Sequence, residues 1–485
     1  MNFKKLSFLF FVCAFFTLSS STAQDKELYR ELYNSYENFK EESIEKRRFT
    51  QTKIQPLIDD FNQKENFKVT KVGESIEGRP LQLISAGEGD VDIFLWSQMH
   101  GDESTATMAI FDILNFLDSE AFLEEKEEML KNVKLHFLPM LNPDGAARFQ
   151  RRNLLGVDIN RDALRLQSPE SKTLKNVRDS LDADFGFNLH DQSTYYNAER
   201  TPKPATISYL APAYNYEKSL NEVRGAAMQV IVQMNNILQE YAPGQVGRYN
   251  DDFEPRAFGD NIQKWGTSTI LIESGGYPKD PEKQEIRKLN FVSILAAIFS
   301  IAEEDYKNAE ISKYEEIPNN DRKLFDLKLT GLTYELLGED YILDLGINQY
   351  EVQDGDLDYF YNSSISDQGD LSTYYGYEEF DASGYKFEQG KIYPETFENL
   401  EKFQQENISE ILKEGYSYVV LKELPEDNFT KLPINLVTED FEIPENLQPN
   451  FFLKKDGNLE YAVINGFFID LSKENFDVGN ALILD

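Results

Sequence analysis

His100 and Glu103 stand three apart across Gly101, directly after the apolar run Ile93 Phe94 Leu95 Trp96. An imidazole nitrogen and a carboxylate so placed can converge on one cation. The pair alone says little, because an isolated His-x-x-Glu is usually a surface pair. Three further apolar runs change its meaning, since each breaks into polar residues of the kind that metal-assisted hydrolysis uses. The run 133–141 breaks at Asn142 Pro143 Asp144 Gly145, the run 185–189 ends at His190, and the run 269–272 ends at Glu273. Taken together, His100, Glu103 and His190 make a two-histidine, one-carboxylate set that leaves a coordination position for water, the pattern of catalytic zinc. A carboxylate outside such a set can take a proton from the activated water, and Glu273 is the candidate for that base.

These side chains need a scaffold, and the runs that carry them read as buried strands. Downstream of the first, the spacing of Met108, Ile110, Phe111, Ile113, Leu114, Phe116 and Leu117 predicts a helix over 105–117. Strand, loop and helix in that order is the signature of an α/β sheet, in which ligands bind beyond the carboxyl ends of the strands. Strands are also predicted over 67–72 and 81–84, joined by the turn Glu77 Gly78 Arg79 Pro80, and helices over 217–241 and 280–303. The charged stretch 25–66, with Leu28, Leu32, Tyr36 and Phe39 at helical spacing, reads as an amphipathic helix packed on the sheet domain.

From about residue 305 the composition shifts to tyrosine, aspartate and short alternating segments such as 341–347. Strands predominate there, with one helix predicted over 394–413, a strand over 416–421 and further strands near 462–471. No histidine follows His190, and nothing in this region groups residues for chemistry, so it reads as an accessory module that packs or stabilises, with a substrate-binding role as the alternative.

The chain has 485 residues, 41% of them hydrophobic, enough for a large core and more than one domain. Lys4 and Lys5, the apolar stretch 6–18 and the small residues Ser21 Thr22 Ala23 form a secretory signal with cleavage expected after Ala23. Cys13, the single cysteine, lies inside that signal, so the mature chain has no thiol for disulfides or nucleophilic catalysis. Val12 stands where a lipid-anchoring signal wants a small residue. No other run reaches the ~20 apolar residues needed to cross a bilayer. The formal charge is −36, and losing the two lysines makes it about −38, which disfavours nucleic acid and anionic membranes as partners.

With these residues in view, the chain resembles the zinc carboxypeptidase family, the metallocarboxypeptidases related to pancreatic carboxypeptidases. The segments that carry the resemblance are His100 Gly101 Asp102 Glu103, Asn142 Pro143 Asp144 Gly145, the stretch 156–161, His190 and Glu273, in the family's order. It covers about 67–302 and does not extend to the C-terminal portion. It implies an α/β fold with a mixed twisted sheet flanked by helices, and the composition beyond it implies a β-rich C-terminal domain. The expected domains are a signal peptide over 1–23, a catalytic domain with its N-terminal helix over 24–304, and an accessory domain over 305–485.

The resemblance also implies one Zn2+ per chain on His100, Glu103 and His190, with Glu273 as general base. By the same route Arg151 polarises the scissile carbonyl, although the adjacent Arg152 competes for that role. Asn160 and Arg161 match the pair that holds a substrate's terminal carboxylate, a grip that suits an amide beside a planar guanidinium. Asp158 matches the acid that orients the first histidine, and Tyr249 the tyrosine that caps the bound substrate. His136, inside a strand, reads as a packed core histidine. Asp102 and Asp144 read as turn formers, and Gly275 and Gly276 as relief of backbone crowding. Asp191 Gln192, after the third ligand, departs from the digestive enzymes.

The function expected is that of a secreted, periplasmic or extracellular, zinc carboxypeptidase acting on peptide or protein C-termini. Two alternatives stay open: a murein stem-peptide carboxypeptidase or amidase using the same site, and a non-catalytic peptide-binding protein.

Overall fold

Strand β3 (Val91–Ser97) lies inside an eight-stranded sheet. Its residues alternate between two cores. Ile93 and Leu95 point to one and Phe94 and Trp96 to the other, all fully buried, which is why the run shows no polar alternation. In this computed structural model, which describes residues 27–444, 446–473, 476 and 478–484, the chain divides into two compact units that meet in sequence at Asp321 and Arg322. The expected signal peptide and Cys13 lie outside the described residues. No helix among the described residues is long and apolar enough to cross a membrane.

In the first unit the strands are β1 (Lys68–Glu74), β2 (Pro80–Ala86), β3, β4 (Val133–Leu138), β5 (Phe185–Asp191), β6 (Asn197–Ala198), β7 (Ile207–Leu210), β8 (Val246–Arg248), β9 (Ser268–Ser274) and β10 (Asn320–Asp321). The main sheet runs in the order β1-β2-β4-β3-β5-β9-β7-β8. Its centre is parallel, whereas β1, β2 and β4 pair antiparallel at one side and β7 pairs antiparallel with β9 at the other. One face is covered by helices Thr105–Asp118, Glu222–Tyr241 and Gln284–Ala302. The other packs on helices Pro169–Leu181 and Phe258–Lys264 through Leu174, Val177, Phe258 and Ile262. This is the expected mixed α/β sheet flanked by helices.

Several boundaries differ from the sequence reading, each for a local reason. The stretch 25–66 is not one helix. A helix over 27–35 gives way to a 3-10 turn at Tyr36–Asn38, and a second helix covers Gln51–Phe61. Phe39, Ile44 and Phe49 between them are buried, so this stretch leaves the helix to cover the core. The helix expected from 217 begins at Glu222, because the Asn221 side chain caps it by accepting from Arg224 N. The run 133–141 stops being strand at Leu138, ahead of Met140 in a left-handed conformation at φ 52°. Residues 305–321, expected in the accessory domain, belong to the first unit. Their 3-10 helix Ile311–Glu316 packs on Glu222–Tyr241, and β10 pairs with β6.

The second unit is β-rich, as expected. It holds an eight-stranded sheet led by the hairpin Leu324–Leu336 and Glu339–Asp354, and a five-stranded sheet in which Lys391–Ile392, Tyr416–Val420, Asn435–Val437 and Ala481–Leu484 run parallel. The single helix expected over 394–413 is replaced by two short ones, Leu400–Phe403 and Ile408–Lys413, started separately by the caps Asn399 and Asn407.

One fully buried ion pair ties the first unit's N-terminal arm to its helices. Arg287 Nε donates to Asp112 Oδ2 at 2.7 Å, and both side chains are 0% exposed. Arg287 also donates to the carbonyls of Ile44 and Glu41, while Tyr36 Oη and Glu41 N donate to Asp112. Replacing Arg287 by Met strands a buried carboxylate and should cost about 3–5 kcal/mol of stability in urea unfolding, with much of the loss restored in the Asp112→Asn/Arg287→Met double variant.

Candidate metal centre and active site

Past Ser97 the chain turns through Gln98, held in the left-handed region at φ 52°, and the Gln98 amide donates to Gly101 O. Gly101 is required by close packing. A Cβ there would lie 2.1 Å from the Gly145 backbone carbon and 2.6 Å from Gln150 O. Gly145 belongs to the Asn142 Pro143 Asp144 Gly145 turn, which forms one helical turn capped by the Asn142 side chain. The two motifs therefore interlock through their glycines. Asp144 does more than form a turn: fully buried, it accepts from Ser75 Oγ, Glu77 N and Arg79 Nη1 and so anchors the 75–79 turn.

The result brings three predicted ligands together. His100, Glu103 and His190 each offer one ligand atom, and these lie within 4.8 Å of one another. His100 Nδ1 is 2.8 Å from Glu103 Oε1, and His190 Nδ1 is 2.7 Å from Glu103 Oε2. Among the described residues this is the one group placed to hold a metal. His100 pairs its other nitrogen, Nε2, with Asp158 Oδ1 at 3.1 Å. A proton on Nε2 leaves the Nδ1 lone pair facing Glu103. Two imidazole nitrogens crowded onto one carboxylate, His100 Nδ1 and His190 Nδ1 on Glu103, are a donor set that a zinc ion fits.

The charged groups at the site act strongly on one another. Burial would lower the His100 pKa, but Glu103 and Asp158 outweigh it and hold it at about 9. Burial would raise the Glu103 carboxyl, but His100 and His190 hold it well below the ordinary carboxylate range. His190 is pushed down, first by burial. Glu273 is the β9 register partner of His190 on β5 and is itself buried. Burial, then the neighbouring charge of Glu103, raises its carboxyl well above the usual value.

Arg151 lies on the trio: Nη1 donates to His100 Nδ1 at 3.0 Å and to Glu103 Oε1 at 3.2 Å, and Nε donates to Asp158 Oδ2 at 3.1 Å. Arg152 instead turns outward and donates to Gly156 O. Asn160 Oδ1 accepts from Phe258 N at 2.9 Å, and Arg161 Nη1 donates to Asn160 O at 2.7 Å. Tyr249 is near enough to Glu273 that burial, then that charge, pushes its phenol up. His136 sits apart, buried between Ser85 Oγ and Asp92 Oδ1 at 2.8 Å each. Gly275 does relieve crowding, since a Cβ there would meet Ala205 O at 2.2 Å.

Some neighbours were given no role from the sequence. Asp191 N donates to Glu103 Oε2, and the Asp191 carboxylate takes the Thr105 hydroxyl and the buried Lys283 ammonium, at 2.6 and 3.0 Å. Tyr196 stands edge-on to Tyr249 at 6.3 Å between ring centroids. Glu254 and Arg256 lie beside Arg161. Tyr196, Glu254 and Arg256 carry no spacing signal, because only the packing of their loops brings them to the site, whereas Asp191 directly follows His190 at the end of β5.

Residues 54–269 match the family model described as zinc carboxypeptidase. The resemblance read from the motifs thus holds over this segment, and the buried His-Glu-His group is the place where the metal named in that description would bind. Among curated proteins, the chain is 28% identical over 179 residues to carboxypeptidase SOL1 of Arabidopsis thaliana, covering 30% of this chain and 36% of that protein. It is 30% identical over 135 residues to carboxypeptidase E of Caenorhabditis elegans, covering 23% and 29%. The chain thus spans only about a third of the length of the curated relatives it matches. Among solved structures, a metallo-carboxypeptidase from Burkholderia cenocepacia superposes with a TM-score of 0.44 at 17% identity, over 53% of this chain and 70% of that one.

If Asp158 sets the His100 tautomer, Asp158→Asn should weaken zinc affinity roughly 10–100-fold. Titration against a chromogenic chelator measures this, with His190→Ala as the variant expected to lose tight binding altogether.

Proposed function

We propose that this chain is an exported zinc carboxypeptidase that hydrolyses the last peptide bond of substrates with a free C-terminus. The observation that carries the reading is the convergence of His100, Glu103 and His190 beside a further buried carboxylate, Glu273, one strand away in register. Zinc held by the trio would supply Lewis acidity, acidifying a water and polarising a carbonyl.

The chain's own residues account for the remaining steps. Glu273 takes the proton of the attacking water, whose oxygen bonds to the scissile carbonyl carbon. It then passes that proton to the leaving nitrogen as the C–N bond breaks. Arg151 donates to the oxygen on which charge develops. Asn160 has its Oδ1 committed to Phe258 N, so its amide N–H groups are left to donate to a terminal carboxylate alongside the Arg161 guanidinium. Tyr249, its pKa raised, keeps its proton and can donate to bound substrate. Asp158 orients His100.

Glu273→Gln should keep zinc bound by elemental analysis while turnover falls roughly a hundred- to ten-thousand-fold; turnover that survives the change removes Glu273 from this role. Free-acid peptides should be trimmed and their amidated counterparts spared, and a chelator should abolish trimming. Export is tested by mass spectrometry of protein recovered outside the cytoplasm. An N-terminus at Gln24 is expected, and an intact Met1 there would overturn it.

A further inference from the structure

The expected carboxylate clamp already holds a carboxylate from its own chain. Glu254 Oε2 lies 3.5 Å from Arg161 Nε and 2.7 Å from Arg256 Nη2, while its Oε1 accepts from Arg256 Nε at 3.0 Å and from Arg256 N at 3.1 Å. One anionic oxygen is therefore shared between the clamp arginine and a second guanidinium that grips the same carboxylate by two bonds.

The backbone around this carboxylate is fixed. Phe258 N donates to Asn160 Oδ1, Ala163 N donates to Arg256 O, and Glu254 N donates to Asp260 Oδ1. The first two bonds staple the 254–258 loop to the 160–163 segment and the third fixes the Glu254 backbone, so the Glu254–Arg161 pair opens by side-chain rotation. Arg161 and Glu254 side chains remain 36% and 30% exposed, so an incoming anion can reach them. An ion pair so exposed contributes little, which suits a contact that substrate must displace. The hydrogen bond from Arg256 is the main cause that holds the Glu254 carboxyl down at about 2, keeping the competing charge present throughout the neutral range.

We infer that Glu254 is a positioning residue that competes with the substrate's terminal carboxylate for Arg161, and that Arg256 sets the strength of this competition by holding Glu254 aside. The inference rests on the carboxypeptidase reading and predicts opposite effects from two residues of one loop. Glu254→Gln keeps the side-chain shape but removes the competing charge. KM for a free-acid peptide should fall about two- to fivefold, with the change in KM and not in kcat. Arg256→Gln leaves Glu254 with Arg161 alone, and KM should rise by a similar factor.

The experiment is steady-state kinetics of the zinc-loaded full chain and both variants on one N-acylated dipeptide as free acid and as amide, with thermal melting to check folding. Opposite KM shifts confined to the free acid support the inference. Shifts in the same direction, or none, overturn it while leaving the carboxypeptidase reading intact, provided the wild type prefers the free acid. A wild type that does not distinguish acid from amide overturns that reading and this inference with it.

Discussion

Glu103 is a nearly buried carboxylate set between two imidazoles, and the architecture of the first unit follows from satisfying it. Taking a carboxylate out of water is costly unless opposite charge or donors meet it. Here His100, His190 and Arg151 do so at 2.8, 2.7 and 3.2 Å. These partners come from the loop after β3, the end of β5 and the loop preceding Asn153, so those three places must be held in one geometry. Asp158 closes the arrangement by binding both His100 and Arg151. Arg151, Asp158, His100 and Glu103 thus form a linked chain of polar contacts, so removing one group takes a partner from each of its neighbours.

Residues that do no chemistry bear much of that positioning. Gly101 and Gly145 let two backbones approach closer than any Cβ permits, and buried Asp144 ties the second turn to a third. Behind the trio, Lys283 and Asp191 join the start of helix Gln284–Ala302 to the end of β5. Farther out, the N-terminal arm reaches the same loop, where Ser104 Oγ donates to Arg47 O. The Asp112–Arg287 pair holds that arm against the helices. Site geometry and fold stability are therefore linked through shared elements.

Much of this was legible in the linear chain. Apolar runs ending in histidine, glutamate or a proline-glycine turn marked β3, β4, β5 and β9, because strands buried on both faces carry no polar alternation and must turn polar where they emerge. The predicted ligands and Glu273 sit at or just beyond such ends. Helix extents were less legible. Asn221, Asn399 and Asn407 each restart a helix by capping its first turn, and a periodic pattern counted over twenty residues does not register a single cap.

The amino-acid sequence by itself determined the class of fold and set His100, Glu103, His190 and Glu273 at or just past the ends of apolar runs, since periodicity and the ends of such runs are local properties of the chain. The tertiary structure alone decided that Arg151 and not Arg152 faces the trio, that Asp191 is met by Lys283, and that Glu254 lies against Arg161. Glu254 and Arg161 are brought within reach only when the 254–258 loop docks on the 160–163 segment. Charge pairing depends on ångström distances between loops, and those distances exist only after the core has packed.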